Sequence, residues 1–490
     1  MTIEALITAG DPQLMRPWPR YLLSREAWRA MADALRSDPE PALLGLWADT
    51  AHVHALFMGS TPMMASVPVE GVLYDALSPG RPAAALFERM IHDLWGHVAA
   101  HGTDQHPLLD HGRWPILRPL SRRPAPNSAP PEPQGPGVVQ PGQHQVSIGP
   151  IGSGAADPVH LRVTVAGEMV VRMEARLGYA HRGVLALMRG KPLRSAAPLA
   201  ARIAADSTVA HAVAFARAGE AALDVDPPPR GHALRGVMAE LERIASHLGD
   251  LGAALPGLPG ARCKALRETV LRANQAAFGH RLLMDCVLPG GTAVDLAPGG
   301  HAAVLDALDR IAKEEPDTRR SLDGMAIPTA AGGVAGPEIL ASFAPGGVLG
   351  RAAGCKDDAR RVPGYPPYGP LPTVPSAPWD GDVEARLRLR LDEIRDSNVM
   401  LRRWLADLPP GPVNGGVPFA SGEGLGVAEG PHGDVWHWLR LDAGNIATSF
   451  VRDPRWLHWP LIEAACAGAA LGDLPLIMRS FSPAASGLEL

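Results

Sequence analysis

The sequence predicts an α+β fold: a mainly α-helical domain with small β elements, preceded by a smaller α/β domain. Three observations lead there. Apolar residues recur at helical spacing in several long segments. Two shorter stretches alternate with the period of a strand. A proline-dense stretch divides the chain, whose 490 residues are too many for one core.

In the first part, residues 1–120, Trp28, Met31 and Leu35 line one face of a helix predicted over Ala27 to Leu35. A strand is expected over His52 to Met58. A second helix is expected over Ala83 to Ala99, where Leu86, Met90, Leu94 and Val98 recur. Residues 121–145 hold Pro124, Pro126, Pro130, Pro131, Pro133, Pro136 and Pro141 and few large apolar residues. That composition cannot bury enough surface to offset ordering entropy, so it reads as a linker. The remaining domain, 146–490, opens with a hairpin over His160 to Val171, with Leu161, Val163 and Val165 on one face and Gly167 at the turn. Helices follow over Leu199 to Leu223, Gly231 to Leu255, Arg262 to Asp285, Ala302 to Glu315 and Asp382 to Leu405. The stretch from Gly333 to Trp379 reads as irregular, Glu423 to Ser449 as strand, and Pro460 to Ala469 as a short helix.

Composition narrows the function. Hydrophobic residues make up 46% and charged residues 20%, which excludes wholesale disorder. The net charge is -5 and no basic block is long enough for a nucleic-acid surface; the cluster Arg118, Arg122 and Arg123 reads as solvated linker. Cys263, Cys286, Cys355 and Cys466 form no CxxC, so a reduced, cytosolic chain is expected. Met1 to Glu4 has no basic region followed by an apolar run, so no secretory signal is expected, and no transmembrane run is found. Gly149 to Gly154 lacks the strand and helix context of a phosphate loop.

Five stretches then carry a resemblance. They are Gly178-Tyr179-Ala180-His181-Arg182-Gly183; Glu240-Leu241-Glu242-Arg243-Ile244-Ala245-Ser246-His247-Leu248; Leu288-Pro289-Gly290-Gly291; Arg452-Asp453-Pro454 with Trp459; and Glu88-Arg89-Met90-Ile91-His92-Asp93-Leu94-Trp95-Gly96. The first four resemble motifs of the large, catalytic subunits of group 4 energy-converting NiFe-hydrogenases and of the 49-kDa subunit of complex I, the NADH-quinone oxidoreductase. The fifth resembles the 30-kDa subunit of complex I, here fused at the N-terminus. The resemblance implies a hydrogenase large-subunit-like domain and an α/β domain like the 30-kDa subunit.

The departures from those families are as telling as the matches. NiFe-hydrogenases hold their metals with two CxxC pairs, because nickel needs soft thiolate donors. The early pair is similar to the segment from Arg202 to His211, where Ala204 and Ser207 stand at the cysteine positions. The late pair is similar to the segment from Ser482 to Gly487, where Ala484 and Gly487 stand. No nickel–iron centre is therefore expected, and no metal site. A glutamate common after the HRG motif is Leu185 here. The complex I loop that gives a histidine to quinone has no counterpart pair, with His160 as a displaced equivalent, and the quinone-facing tyrosine falls at or near His211.

The candidate cavity residues are His181, Arg182, Arg202, Asp206 and His211, with His160 as the candidate cofactor contact. Arg202, Asp206 and His211 are expected on overlapping faces of one helix, where an i,i+4 ion pair of Arg202 with Asp206 is the plain structural alternative. Glu240, Arg243 and His247 form one polar stripe and read as salt bridging. His92, His97, His101, His106 and His111 lack a metal motif and read as a surface cluster. Trp436, Trp438, Trp456 and Trp459 read as core or interface anchors. The resemblance implies a cytoplasmic place on a membrane arm, held there by partners: an iron–sulfur small subunit with a [4Fe-4S] cluster, a ferredoxin-like subunit and antiporter-like membrane subunits. This chain itself is expected to bind no cofactor, with quinone or an unknown acceptor as electron sink. A structural or coupling subunit without catalysis is the rival expectation.

Overall fold

A computed structural model of the chain describes residues 2–127, 139–325, 333–369 and 380–490. Residues 128–138 of the proline-dense stretch and 370–379 of the stretch read as irregular lie outside the described residues.

The first part is built on a mixed five-stranded sheet. Its strands are β1 (Asp11–Gln13), β2 (Arg20–Leu22), β3 (Ala42–Ala48), β4 (His52–Met58) and β5 (Pro62–Pro68), in the order β1-β2-β5-β4-β3. Helices α1 (Ile3–Thr8), α2 (Arg25–Ala34) and α3 (Ala84–Trp95) accompany it. Ser24 starts α2 by accepting from Ala27 N–H, and Gly96 in the left-handed region stops α3. That stop is why the helix expected to reach Ala99 is shorter. Beyond it β7 (Val98–Ala100) pairs in parallel with β6 (Leu73–Asp75). The small pair β8 (Ile116–Leu117) and β9 (Ala125–Pro126) closes this part.

The second part opens with β10 (Gln143–Ile148), β11 (His160–Ala166) and β12 (Met169–Arg176), an antiparallel sheet whose last two strands turn at Gly167. Two helices, α4 (Val184–Met188) and α5 (Leu193–Ala200), lead to α6 (Thr208–Leu223). The single helix expected over Leu199 to Leu223 is therefore two, with residues 201–207 as a turn between them. Then come α7 (Pro229–Ala254), α8 (Gly257–Phe278), the short pair β13 (Val287–Leu288) and β14 (Gly291–Thr292), and α9 (Gly300–Asp323). Gly279 ends α8 in the left-handed region, well short of the expected stop at Asp285. Two short helices, α10 (Pro337–Phe343) and α11 (Gly347–Ala352), stand within the stretch expected to be irregular, and α12 (Val383–Ala406) follows.

The stretch from Glu423 to Ser449, read as having strand character, forms β15 (Gly422–Gly430), β16 (Gly433–Asp442) and β17 (Asn445–Arg452), an antiparallel meander. α6 lies against it. Gly422, Gly424 and Gly426 face the helix so closely that a Cβ on any of them would meet an α6 carbonyl at 2.0–2.2 Å. α13 (Arg455–Cys466), α14 (Leu474–Phe481) and the single turn α15 (Ser486–Glu489) complete the chain. No described helix is long and apolar enough to cross a membrane.

The two parts share a buried seam. Trp47 stacks on Phe450 at 4.5 Å, and Phe87 stacks on Trp456 at 4.5 Å. Arg20 pairs with Glu423 at 2.8 Å, and Arg440 with Asp49 at 2.8 Å. Trp436, Trp438, Trp456 and Trp459 are all buried, as core anchors would be.

Candidate functional site

The turn between α5 and α6 and the end of the chain come together. The Arg182 guanidinium donates to the carbonyls of Arg202 (2.8 Å) and Ile203 (2.6 Å) in the turn, and more weakly to that of Ser486 (3.5 Å). On the other side, Asp157 accepts from the N–H groups of Ala485 (2.9 Å) and Ser486 (2.8 Å) and so fixes the last turn. The Trp459 indole donates to Ala484 O at 3.1 Å. Ala204, Ser207 and Ala484 are all buried.

Between these two ends lies a cluster of buried charged and aromatic groups. Arg455 donates to Asp453 (3.2 Å) and to Asp206, and Asp206 also meets His432 Nε2 at 3.1 Å. His211 Nε2 pairs with the Asp453 carboxylate at 3.0 Å, while its Nδ1 meets His437 Nε2 at 3.1 Å. His437 is held neutral by burial, and its Nδ1 is buried with no hydrogen-bond partner among the described residues. Burial pushes the Asp453 carboxyl up, but the Arg455 charge and the His211 hydrogen bond outweigh it and leave it well below the usual range. Asp206 behaves alike, with Arg455 and His432 overcoming its burial. A Cβ on Gly487 would stand 2.2 Å from Asp453 Oδ2, so the carboxylate takes the room that a side chain there would need.

The expected helix carrying Arg202, Asp206 and His211 is not formed, because the first two lie in the turn and only His211 is on α6. Arg202 does not pair with Asp206. It reaches out to Asp285 at 2.5 Å in an exposed ion pair. His181 points away from the cluster, its ring stacked on Trp114 at 4.4 Å beside an apolar cleft. His160 opens β11 opposite Arg176, and it hydrogen-bonds to none of the other candidates. Arg455, Asp453, His432 and His437 were not among the candidates. Arg452-Asp453-Pro454 had signalled the region as a motif, but nothing local marks a histidine inside a strand-rich run as a partner of residues so much earlier in the chain.

A second buried network adjoins the first. Glu240 accepts from Arg243 (3.2 Å), Arg360 (3.2 Å) and Tyr368 (2.6 Å). Glu393 accepts from Arg351 (2.6 Å), Arg243 (3.3 Å) and His247 (2.8 Å). The stripe of Glu240, Arg243 and His247 is thus a salt-bridged spine binding α7 to α12. The N-terminal histidines serve separate local contacts: His97 to Asp49 O, His111 to Leu177 O and His106 to Asp104. Among the described residues no cluster of three or more His, Cys, Asp or Glu is arranged to hold a metal ion.

The resemblance implies a thiolate-held nickel–iron centre, and the residues present do not fit one. Alanine and glycine side chains offer no donor, a serine hydroxyl is a poor ligand for a soft metal, and the space beside Gly487 is filled by Asp453.

In this mainly helical large domain the chain end folds back against the internal turn between α5 and α6. Residues 259–418 match the family described as respiratory-chain NADH dehydrogenase, 49 kDa subunit. The chain is 28% identical over 430 residues to formate hydrogenlyase subunit 5 of Escherichia coli (strain K12), covering 84% of this chain and 76% of that protein. It is 26% identical over 360 residues to the carbon monoxide-induced hydrogenase of Rhodospirillum rubrum, covering 71% and 99%. It is 28% identical over 349 residues to an NADH-quinone oxidoreductase subunit of Dehalococcoides mccartyi (strain ATCC BAA-2266 / KCTC 15142 / 195), covering 68% and 95%. Its fold is similar to that of a chain in the membrane-bound sulfane sulfur reductase, an archaeal respiratory membrane complex. That likeness has a TM-score of 0.67 at 21% identity, over 72% of this chain and 100% of the other. The family match and these relatives support the superfamily that unites group 4 NiFe-hydrogenase large subunits with the complex I 49-kDa subunit, to which the chain is similar over most of its length.

Proposed function

We propose that this chain is the large subunit of a membrane-associated respiratory complex, that it holds no nickel–iron centre, and that its role is coupling rather than catalysis. One observation carries this reading. The place between the α5–α6 turn and the chain end is occupied by the mutually bonded Asp453, Arg455, Asp206 and His211, and a side chain on Gly487 would already meet the Asp453 carboxylate. Its partners in this reading are an iron–sulfur small subunit, a ferredoxin-like subunit and antiporter-like membrane subunits, which hold it peripherally at the cytoplasmic face. The buried ion pairs of α7 and α12 supply a stiff, charge-bearing body able to pass a conformational or electrostatic change between neighbours.

The second reading keeps electron transfer from a [4Fe-4S] partner to quinone or another acceptor, coupled to ion movement. The apolar cleft beside His181 favours it, since it provides space for a ligand away from the filled position. The test is purification of the intact complex, followed by metal analysis and by assay of quinone reduction with the iron–sulfur partner present. The coupling reading expects no stoichiometric nickel, and any quinone reduction by the complex to be unchanged by His181→Phe. Stoichiometric nickel would overturn both readings. Quinone reduction abolished by His181→Phe would decide for the second.

A further inference from the structure

An apolar cleft of about 290 Å3 opens at the seam of the two parts of the chain. Trp114, Ile116 and Leu120 form one wall, and Leu185 and Ala186 of α4 the other. The polar side chains lining it are His181 and the Trp114 indole, and of the two only the histidine can accept a hydrogen bond. Its Nδ1 hydrogen-bonds to the backbone carbonyl of Glu489. A carbonyl only accepts, so the proton of the neutral ring is on Nδ1. Burial lowers the pKa of this imidazole and the neighbouring Arg182 charge lowers it further, against the help of Glu489, so the ring is neutral at pH 7. Nε2 then carries a lone pair, and no described residue hydrogen-bonds to it. The indole of Trp114 lies over the imidazole, with the planes 25° apart, and fixes its direction.

An apolar pocket with one oriented side-chain acceptor favours a ligand that brings a donor to it. We propose that this cleft binds a small apolar molecule of one or two fused rings bearing a hydroxyl group, which donates to His181 Nε2. Size agrees, because a cavity of about 150 Å3 holds a benzene ring, and this one has nearly twice that room. Polarity agrees too. A ligand whose oxygens are all carbonyls would set lone pairs against the Nε2 lone pair and leave that acceptor unmatched. The site therefore prefers a phenol-type ligand to the corresponding quinone. This inference stands apart from the coupling reading, because it concerns binding by the chain and needs no turnover.

The experiment is calorimetric titration of the full chain with 1-naphthol, 1-methoxynaphthalene and 1,4-naphthoquinone, three ligands of similar shape. Naphthol is expected to bind at least roughly tenfold more tightly than the ether or the quinone. His181→Phe is expected to abolish that preference while apolar binding survives. Ala186→Trp leaves the His181–Glu489 contact in place and fills the cleft, so it is expected to block all three ligands. Equal affinity for naphthol and its methyl ether overturns the proposal. So do tighter binding of the quinone, no detectable binding of naphthol, or unaltered binding in Ala186→Trp. If His181→Phe does not fold, the matched ligands and Ala186→Trp still decide.

Discussion

Gly487 and Asp453 set the chemistry at the scale of single residues. A methyl group on Gly487 would fall 2.2 Å from a carboxylate oxygen that is itself held by His211 and Arg455, so nothing nearby is free to yield. Gly487→Ala is expected to destabilise the chain by about 1–3 kcal/mol in denaturant unfolding. Asp453 makes a second prediction. Its carboxyl titrates lower in the folded chain than the unfolded value of about 3.9, so it stabilises the fold above that pH and the stabilisation is lost as pH falls. Asp206 adds to the same limb. Stability measured from pH 7 down to pH 3 should therefore drop steeply below about pH 4. Asp453→Asn should flatten that limb, and it should lower stability at pH 7 by about 3–5 kcal/mol by stripping Arg455 of a buried partner. A pH profile unchanged by Asp453→Asn would contradict this account.

At the scale of elements, the long helices were legible because their apolar spacing and their stops are local. α7 and α12 lie within two residues of the spans read from periodicity. The break between α5 and α6 was not legible. Ser207 stands at the start of α6 but its side chain makes no capping bond. The cap comes from Glu242 on α7, whose carboxylate accepts from Val209 N–H (2.6 Å) and Ala210 N–H (3.0 Å). A cap supplied from 33 residues away leaves no mark beside the helix it starts. The same holds for the candidate site. The HRG and RDP motifs located its segments, but which side chains meet depends on strands β15 to β17 folding onto α6. Glu463 on α13 gives the prediction at this scale. It accepts from Ala175 N–H of β12 at 2.7 Å, and burial, with Glu174 nearby, pushes its carboxyl up to about 7. A folded value above the unfolded value of about 4.3 means the folded chain holds the extra proton, so stability falls as pH rises from about 4 to 7. Glu463→Gln should remove that fall: unfolding measured at pH 8 should show a more stable variant, with little difference at pH 4.

For the whole molecule, the question is whether the two parts are one body or two joined by a tether. Proline density marked the boundary in the sequence, but not the seam beyond it. The seam joins apolar stacking, Trp47 on Phe450 and Phe87 on Trp456, to buried charge pairing, Arg20 with Glu423. Arg452 adds a bond to the carbonyl of Leu44 at 2.9 Å. Stacked rings bury area whose contribution does not weaken with salt, and buried ion pairs are screened far less than exposed ones. Residues 1–127 and 139–490 produced as two separate chains should therefore co-elute at equal stoichiometry, and should stay together at high salt. Arg20→Ala leaves Glu423 with only the weaker Arg440 contact at 3.3 Å and the Trp438 indole at 3.0 Å, so it should loosen the pair. Trp47→Ala removes the stack itself and should release the smaller chain. Two chains that elute apart without either substitution would show that the linker, not the seam, holds the parts together, and the His181 cleft at their junction would then lose its fixed walls.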